Sequence, residues 1–194
     1  MFDQDAVTGV ILAGGLARRM NYQDKGLIEY NGQPMISYPI KALSKVVNNV
    51  IINANRNIEI YQQFNLPVIT DRTNQFNGPL AGILAAMDYI DTDILLVIPC
   101  DSPFIKATHL KRLLLSLFEN DADVAVAFDG NRLHPVFLAL KTTLKSSLMN
   151  YLDNHCYKVD TWIKQHKMVV SDFSDVADIF ININCENDLV RHSL

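Results

Sequence analysis

Cysteine is scarce in these 194 residues: Cys100, Cys156 and Cys185 are an odd number without metal-ligand spacing. They read as free thiols in a reducing compartment. Basic charge is short as well. The 17 Lys and Arg stand against 21 Asp and Glu, for a net charge of -4, which argues against a nucleic-acid partner bound through overall charge. No apolar run approaches the roughly 18 residues needed to span a membrane, so no membrane partner is expected. The opening Met1-Phe2-Asp3-Gln4-Asp5 is acidic where a secretory signal is basic, and the expectation is a cytoplasmic protein. The 5 histidines (His109, His134, His155, His166, His192) show no zinc-ligand spacing. What is present is ordinary globular material, 49% apolar and 20% charged, enough for a sizeable core. With no repeat, low-complexity tract or linker, residues 1–194 are expected to form one domain.

Short apolar runs alternate with segments of helical period. The strand-like runs are Val7 to Ala13, Val50 to Ala54, Pro67 to Thr70 and Ile94 to Ile98. Helical stretches from Met35 to Val47, Ile58 to Phe64 and Leu80 to Ile90 separate them, and Ala107 to Glu119 follows. Ile94-Leu95-Leu96-Val97-Ile98 contains no polar residue, as expected of a strand covered on both faces in a parallel sheet. Leu110, Leu113, Leu114 and Leu117 form a core-facing helical stripe. After a strand from Asp123 to Phe128, the Asp129-Gly130-Asn131 turn leads straight into another from Pro135 to Leu140, which predicts one antiparallel strand. Helices near Leu144 to Leu152 and Thr161 to His166, strands at Met168 to Val170 and Ile179 to Ile183, and a helix from Glu186 complete the pattern. The fold class is α/β: a three-layer, Rossmann-like α/β/α arrangement around a mostly parallel sheet.

Chemistry concentrates where the first strand ends, at Leu12-Ala13-Gly14-Gly15-Leu16-Ala17-Arg18-Arg19-Met20, with Asp24-Lys25 beyond. A glycine pair there admits a ligand to the backbone and can aim consecutive N–H groups at an anion. Arg19 and Lys25 add cations suited to a polyphosphate. The spacing is neither a Walker A loop nor the Gly-x-Gly-x-x-Gly of dinucleotide folds. The glycine pair alone would be an ordinary turn; together with the two cations it reads as a phosphate loop. Asn53, Asp71 and Asp101 follow the second, third and fourth strands, and carboxyl ends of parallel strands line the ligand crevice. Taken singly, Asn53 could cap a helix and Asp71 could serve a turn. Asp101 lies within Pro99-Cys100-Asp101-Ser102-Pro103-Phe104, where flanking prolines restrict the backbone. A carboxylate fixed opposite a polyphosphate loop is suited to hold Mg2+.

These segments resemble the molybdenum cofactor guanylyltransferase (molybdopterin-guanine dinucleotide synthase) family. Beyond the opening loop and Pro99-Cys100-Asp101-x-Pro103-Phe104, the resemblance runs through Asn53-Ala54-Asn55-Arg56, Gly78-Pro79-Leu80-Ala81-Gly82, Asp129-Gly130 with His134-Pro135, and Asn182-x-Asn184. The chain departs from the family at Asn21-Tyr22, where a glycine pair is usual. The resemblance implies a Mg2+-dependent nucleotidyltransferase that joins GMP from GTP to the terminal phosphate of molybdopterin or Mo-molybdopterin and releases pyrophosphate. It implies GTP contacts from Leu12, Ala13, Gly14, Gly15, Arg19, Lys25, Asn53, Asp71 and Asp101. Arg19, Lys25 and Asp101 would be catalytic, and Asp101 the metal ligand. On the pterin side it implies Gly82, His134, Asn182 and Asn184. The plainer readings of the last three are a strand start for His134 and satisfied amides for Asn182 and Asn184. It also implies transient contact with molybdenum-cofactor synthesis proteins and acceptor molybdoenzymes. The alternatives are a cytidylyltransferase for the same pterin, a sugar-phosphate nucleotidyltransferase, and a GTP-binding regulator without turnover.

Overall fold

The computed structural model describes residues 3–15, 24–72 and 78–181. Among these residues the main sheet has seven strands, β1 (Val7–Leu12), β4 (Asn49–Asn53), β5 (Val68–Ile69), β6 (Ile94–Pro99), β7 (Val124–Phe128), β8 (Leu133–Lys141) and β9 (Met168–Asp172). Their order is β5-β4-β1-β6-β8-β7-β9. β8 runs antiparallel to both its neighbours, and the other pairings are parallel. A two-strand ribbon, β2 (Glu29–Tyr30) and β3 (Gln33–Pro34), was not foreseen in the sequence; its strands are too short for an alternating pattern to show.

Strand alternation explains the layers. In β6, Leu96 and Ile98 join one apolar cluster while Leu95 and Val97 join the other. The first cluster packs beneath α1 (Ser37–Leu43), α2 (Ile58–Gln62) and α4 (Ala107–Glu119). The second packs beneath α3 (Pro79–Tyr89), α5 (Lys145–Asp153) and α6 (Val159–Ile163). Helices on both faces leave β6 dry on each side, as its unbroken apolar run requires. The leucine stripe of α4 is core: Leu110, Leu113, Leu114 and Leu117 are all buried. At the start of α4 the Lys106 N–H donates to His109 Nδ1. Burial, then Lys106 and Arg112, hold the His109 pKa below its ordinary value, consistent with a neutral ring accepting that bond.

One expected element differs. The strand placed at Ile179 to Ile183 is, up to Phe180, part of a 3-10 segment, Ser174–Phe180. Neighbouring strand residues point to opposite faces, whereas Ile179 and Phe180 both bury in the same cluster as Phe173. The local turn is set by the Asp172 carboxylate accepting from the Ser174 N–H. The helix expected from Glu186 lies outside the described residues.

Leu114→Ala should lower unfolding free energy by about 2–5 kcal/mol, because a fully buried leucine leaves a cavity that a packed helix cannot close. Urea unfolding followed by the fluorescence of Trp162, the sole tryptophan, measures this; a loss under about 1 kcal/mol would contradict the packing.

Candidate active site

Parallel register aligns the strand ends. Leu12 pairs with Asn53 on one side and Pro99 on the other, and Asn53 pairs with Ile69. Backbone bonds extend the alignment one residue further: the Ala13 N–H donates to Asn53, Cys100 to Leu12 and Ala54 to Ile69. Gly14, Asn55, Asp71 and Asp101 therefore leave the sheet along one edge. The loop residues Leu12, Ala13, Gly14 and Gly15 are the continuation of β1, as the sequence suggests.

Two polar groupings stand on this edge. In the first, Asn53 Nδ2 donates to Asp71 Oδ1 at 2.9 Å and Asn55 Nδ2 to Asp71 Oδ2 at 2.8 Å. Asn53 is buried, and it lies over Gly82 of α3. A Cβ at Gly82 would fall 2.3 Å from Asn53 Oδ1, so only glycine lets the helix pass beneath that amide. Gly82, associated with the pterin side by resemblance, thus packs against a residue associated with the nucleoside.

In the second grouping, Lys25 Nζ lies 3.0 Å from Asp101 Oδ2, with the Asp101 side chain only 11% exposed. Lys25 opens a 3-10 turn, Lys25–Leu27, whose setting is rigid. The buried Tyr61 hydroxyl donates to Asp24 Oδ1, and Asn57 Nδ2 donates to Asp24 Oδ2 at 3.4 Å. Burial above all, then the neighbouring Cys100 and Asp24, pushes the Tyr61 hydroxyl far up, so it remains a donor. A Cβ at Gly26 would meet Tyr61 Oη at 2.7 Å and Cys100 Cβ at 3.2 Å. Asp24, Tyr61 and Gly26 thereby seat Lys25 opposite Asp101.

His134 has other partners. Its Nε2 stands 2.7 Å from Asp129 Oδ2, and its ring stacks on Phe180 at 3.9 Å between centroids. Asp129 Oδ1 accepts from the N–H groups of Asn131 and Arg132, closing the turn anticipated between β7 and β8. The Arg132 N–H, then His134 and the Asn131 N–H, hold the Asp129 carboxyl well below the ordinary carboxylate range. Arg19, Asn182 and Asn184, as well as Asn21-Tyr22, lie outside the described residues.

The sequence reading did not single out Asn55, Arg56, Asp24 or Tyr61 as site residues. Asn55 and Arg56 could have been found by the rule that selected Asn53, since they follow the same strand end; Arg56 donates to the Gly15 carbonyl at 2.9 Å. The Asp24–Tyr61 pair spans 37 residues and has no local signal.

Chemically, the edge offers peptide groups at a glycine pair, a cation beside a carboxylate, and a second carboxylate held by two amides. That set can receive a polyphosphate and a nucleoside. Among the described residues, no three His, Cys, Asp or Glu side chains gather as a metal cage. The donor chemistry still fits a hard cation: a single carboxylate suffices for Mg2+ when substrate phosphates and water supply the remaining oxygens. No described helix is long and apolar enough to cross a membrane.

Cys100 lies beside this site, and burial, then the charges of Asp101 and Asp24, push its thiol up. The nucleophile is the thiolate, so native protein treated with iodoacetamide at pH 8 should carry label on Cys156 well before Cys100. Peptide mass mapping reads the order; Cys100 reacting as fast as in urea would overturn it.

The MobA-like NTP transferase domain matches residues 9–169. A protein named molybdenum cofactor guanylyltransferase from Shewanella piezotolerans is 44% identical over 178 residues, covering 92% of this chain and 87% of that protein. One of the same name from Shewanella frigidimarina is 45% identical, covering 92% and 91%. The crystal structure of molybdopterin-guanine dinucleotide biosynthesis protein A from Archaeoglobus fulgidus superposes with a TM-score of 0.79 at 19% identity, covering 95% of each chain. At that identity the likeness speaks for the fold. The sequence relatives and the matched domain go further: the chain belongs to the molybdenum cofactor guanylyltransferase family, built on a MobA-like NTP transferase domain.

Proposed function

We propose that this chain transfers GMP from GTP to the terminal phosphate of molybdopterin or Mo-molybdopterin, forming the guanine dinucleotide cofactor and releasing pyrophosphate. The observation that carries the reading is the convergence of the Leu12 to Gly15 loop, the Asn53–Asp71 pair and the Lys25–Asp101 pair on one sheet edge. Family membership supports it.

The reaction needs no side-chain nucleophile. An oxygen of the acceptor phosphate attacks the α-phosphorus of GTP, and the bond from that phosphorus to the oxygen bridging it to the β-phosphate breaks. The electron pair leaves with pyrophosphate. The protein's task is in-line positioning and offsetting charge. In this reading Leu12 to Gly15 present backbone groups to the nucleotide, and Asn53 and Asp71 bind the nucleoside. Lys25 and Arg19 balance charge on the departing pyrophosphate. Asp101 would hold Mg2+, which when bound would supply charge neutralisation to the phosphates. His134, Asn182 and Asn184 belong on the pterin side, with Gly82 beneath the nucleoside pair bordering it. The reading extends to brief contact with molybdenum-cofactor synthesis proteins and acceptor molybdoenzymes, which would shield an oxidation-prone pterin; crosslinking during cofactor synthesis tests that contact.

Pyrophosphate release with Mg2+ and molybdopterin should occur with GTP and not with ATP, UTP or CTP. Release with CTP instead would move the chain to cytidylyl transfer, and release with none would point to nucleotide binding without turnover. Asp101→Ala should abolish metal-dependent release while leaving the thermal unfolding midpoint nearly unchanged; near wild-type turnover would end the metal role. Lys25→Ala should lose a charge-assisted contact worth roughly 1.5–3 kcal/mol, or about 10- to 150-fold in kcat/KM for GTP. Unchanged kcat/KM would remove Lys25 from the site.

A further inference from the structure

Asn55 is a doubly bonded side chain on the edge to which the proposed reaction assigns nothing. Asn55 lies two residues beyond the end of β4, outside the ladder, yet makes a two-point clasp on one residue. Its Nδ2 donates to Asp71 Oδ2 at 2.8 Å, and its Oδ1 accepts from the Asp71 backbone N–H at 2.9 Å. A clasp that grips both the main chain and the carboxylate of Asp71 fixes the side chain's torsion. Asn53 holds the other oxygen, Asp71 Oδ1, at 2.9 Å. Each carboxylate oxygen can accept two bonds, so both keep capacity for a donor on a ligand. The same Asn55 amide abuts the glycine loop: a Cβ at Gly14 would lie 2.9 Å from Asn55 Nδ2. The next residue, Arg56, holds the Gly15 carbonyl at 2.9 Å. Consecutive residues after β4 thus brace consecutive glycines after β1.

We infer that Asn55 is a positioning residue for nucleotide binding: it aims the Asp71 carboxylate at hydrogen-bond donors of the nucleoside and sets the standing distance between Asp71 and the Gly14 loop. This rests on the proposed nucleotide site, and it assigns Asn55 no contact with the reacting atoms. A side chain that merely stabilised the fold would weaken binding whether or not Asp71 were present. One that acts through Asp71 loses its effect when the carboxylate is removed.

The test is a double-mutant cycle read by calorimetric titration with GTP and Mg2+ in the absence of acceptor. Asn55→Ala should weaken GTP binding about tenfold, the scale of one lost bond to a charged group. Asp71→Ala should weaken it at least as much, and Asn55→Ala added to Asp71→Ala should change it little further. Additive losses would overturn the inference. Asn55→Asp keeps the size of the side chain and its acceptor but sets a carboxylate against Asp71. It should bind GTP more weakly than Asn55→Ala, and wild-type affinity in that variant would equally overturn the inference. Running wild type against CTP, ATP and UTP separates the two levels. Preference for another triphosphate overturns guanylyl transfer while the cycle, run with that nucleotide, still decides Asn55; binding of none overturns both.

Discussion

The parallel register of β1 with β4 and β6 is the constraint on which the site depends. Because Leu12, Asn53 and Pro99 are set level by the ladder, the next few residues of each strand must emerge side by side. A slip of one residue would exchange the faces of the strand, burying Asn53 among the residues around Ile52 and Ala54 and turning their apolar side chains toward α3. The apolar alternation that drives folding is therefore the same feature that brings the glycine loop, the amides and the two carboxylates together. Helices on both faces lock it, since each strand residue has a covered side to choose.

At the edge, the buried polar groups Asn53, Asp101 and Asp24 are paired. Asn53 with Asp71, Lys25 with Asp101, and Tyr61 with Asp24 each join a donor to an acceptor, and each pair has at least one member that the surrounding packing has withdrawn from water. A buried polar group left alone costs roughly 1–3 kcal/mol, more if charged, so each pair holds its members in place by the penalty for separating them. The arrangement contributes little net stability by itself. Its effect is orientation: side chains that would sample several rotamers at an open surface stand in one. For a reaction whose catalysis is positioning and charge balance, such fixed polar groups are what the protein can supply.

How far the sequence could be read follows the range of the interactions. β6 was legible because five apolar residues in succession have only one place in such a fold, and α4 because its leucines repeat at helical spacing. The Asp129-Gly130-Asn131 turn was legible because its hydrogen bonds are local, the N–H groups of Asn131 and Arg132 donating back to the Asp129 carboxylate. Asn53, Asp71 and Asp101 were found by position alone, each placed after a strand. What the sequence does not carry is how they pair: that Asn55 clasps Asp71 depends on β4 and β5 lying adjacent, and that Asp24 meets Tyr61 depends on α2 packing against a segment 37 residues away in the chain. The Ser174–Phe180 segment failed for a related reason. Its apolar residues fit a strand pattern until the packing of Phe180 on His134 sets both Ile179 and Phe180 on one side.

Charge counting at the edge gives the proposed metal its physical basis. Within the described residues the Asp101 carboxylate already engages Lys25 at 3.0 Å. In the proposed reaction a triphosphate at the glycine loop would bring several negative charges to the same place, which two carboxylates, Asp71 and Asp101, flank. The single charge of Lys25, with the Arg56 guanidinium bonded to the Gly15 carbonyl, offsets only part of that total. Like charges 4 Å apart repel by about 4 kcal/mol at the effective dielectric of a partly buried site. A divalent cation held by Asp101 would supply the missing positive charge and leave Lys25 available to the phosphates in the proposed reaction. In the proposed reaction the Lys25–Asp101 pair would be the resting state of two groups whose partners change when the nucleotide binds, and not a bond retained throughout.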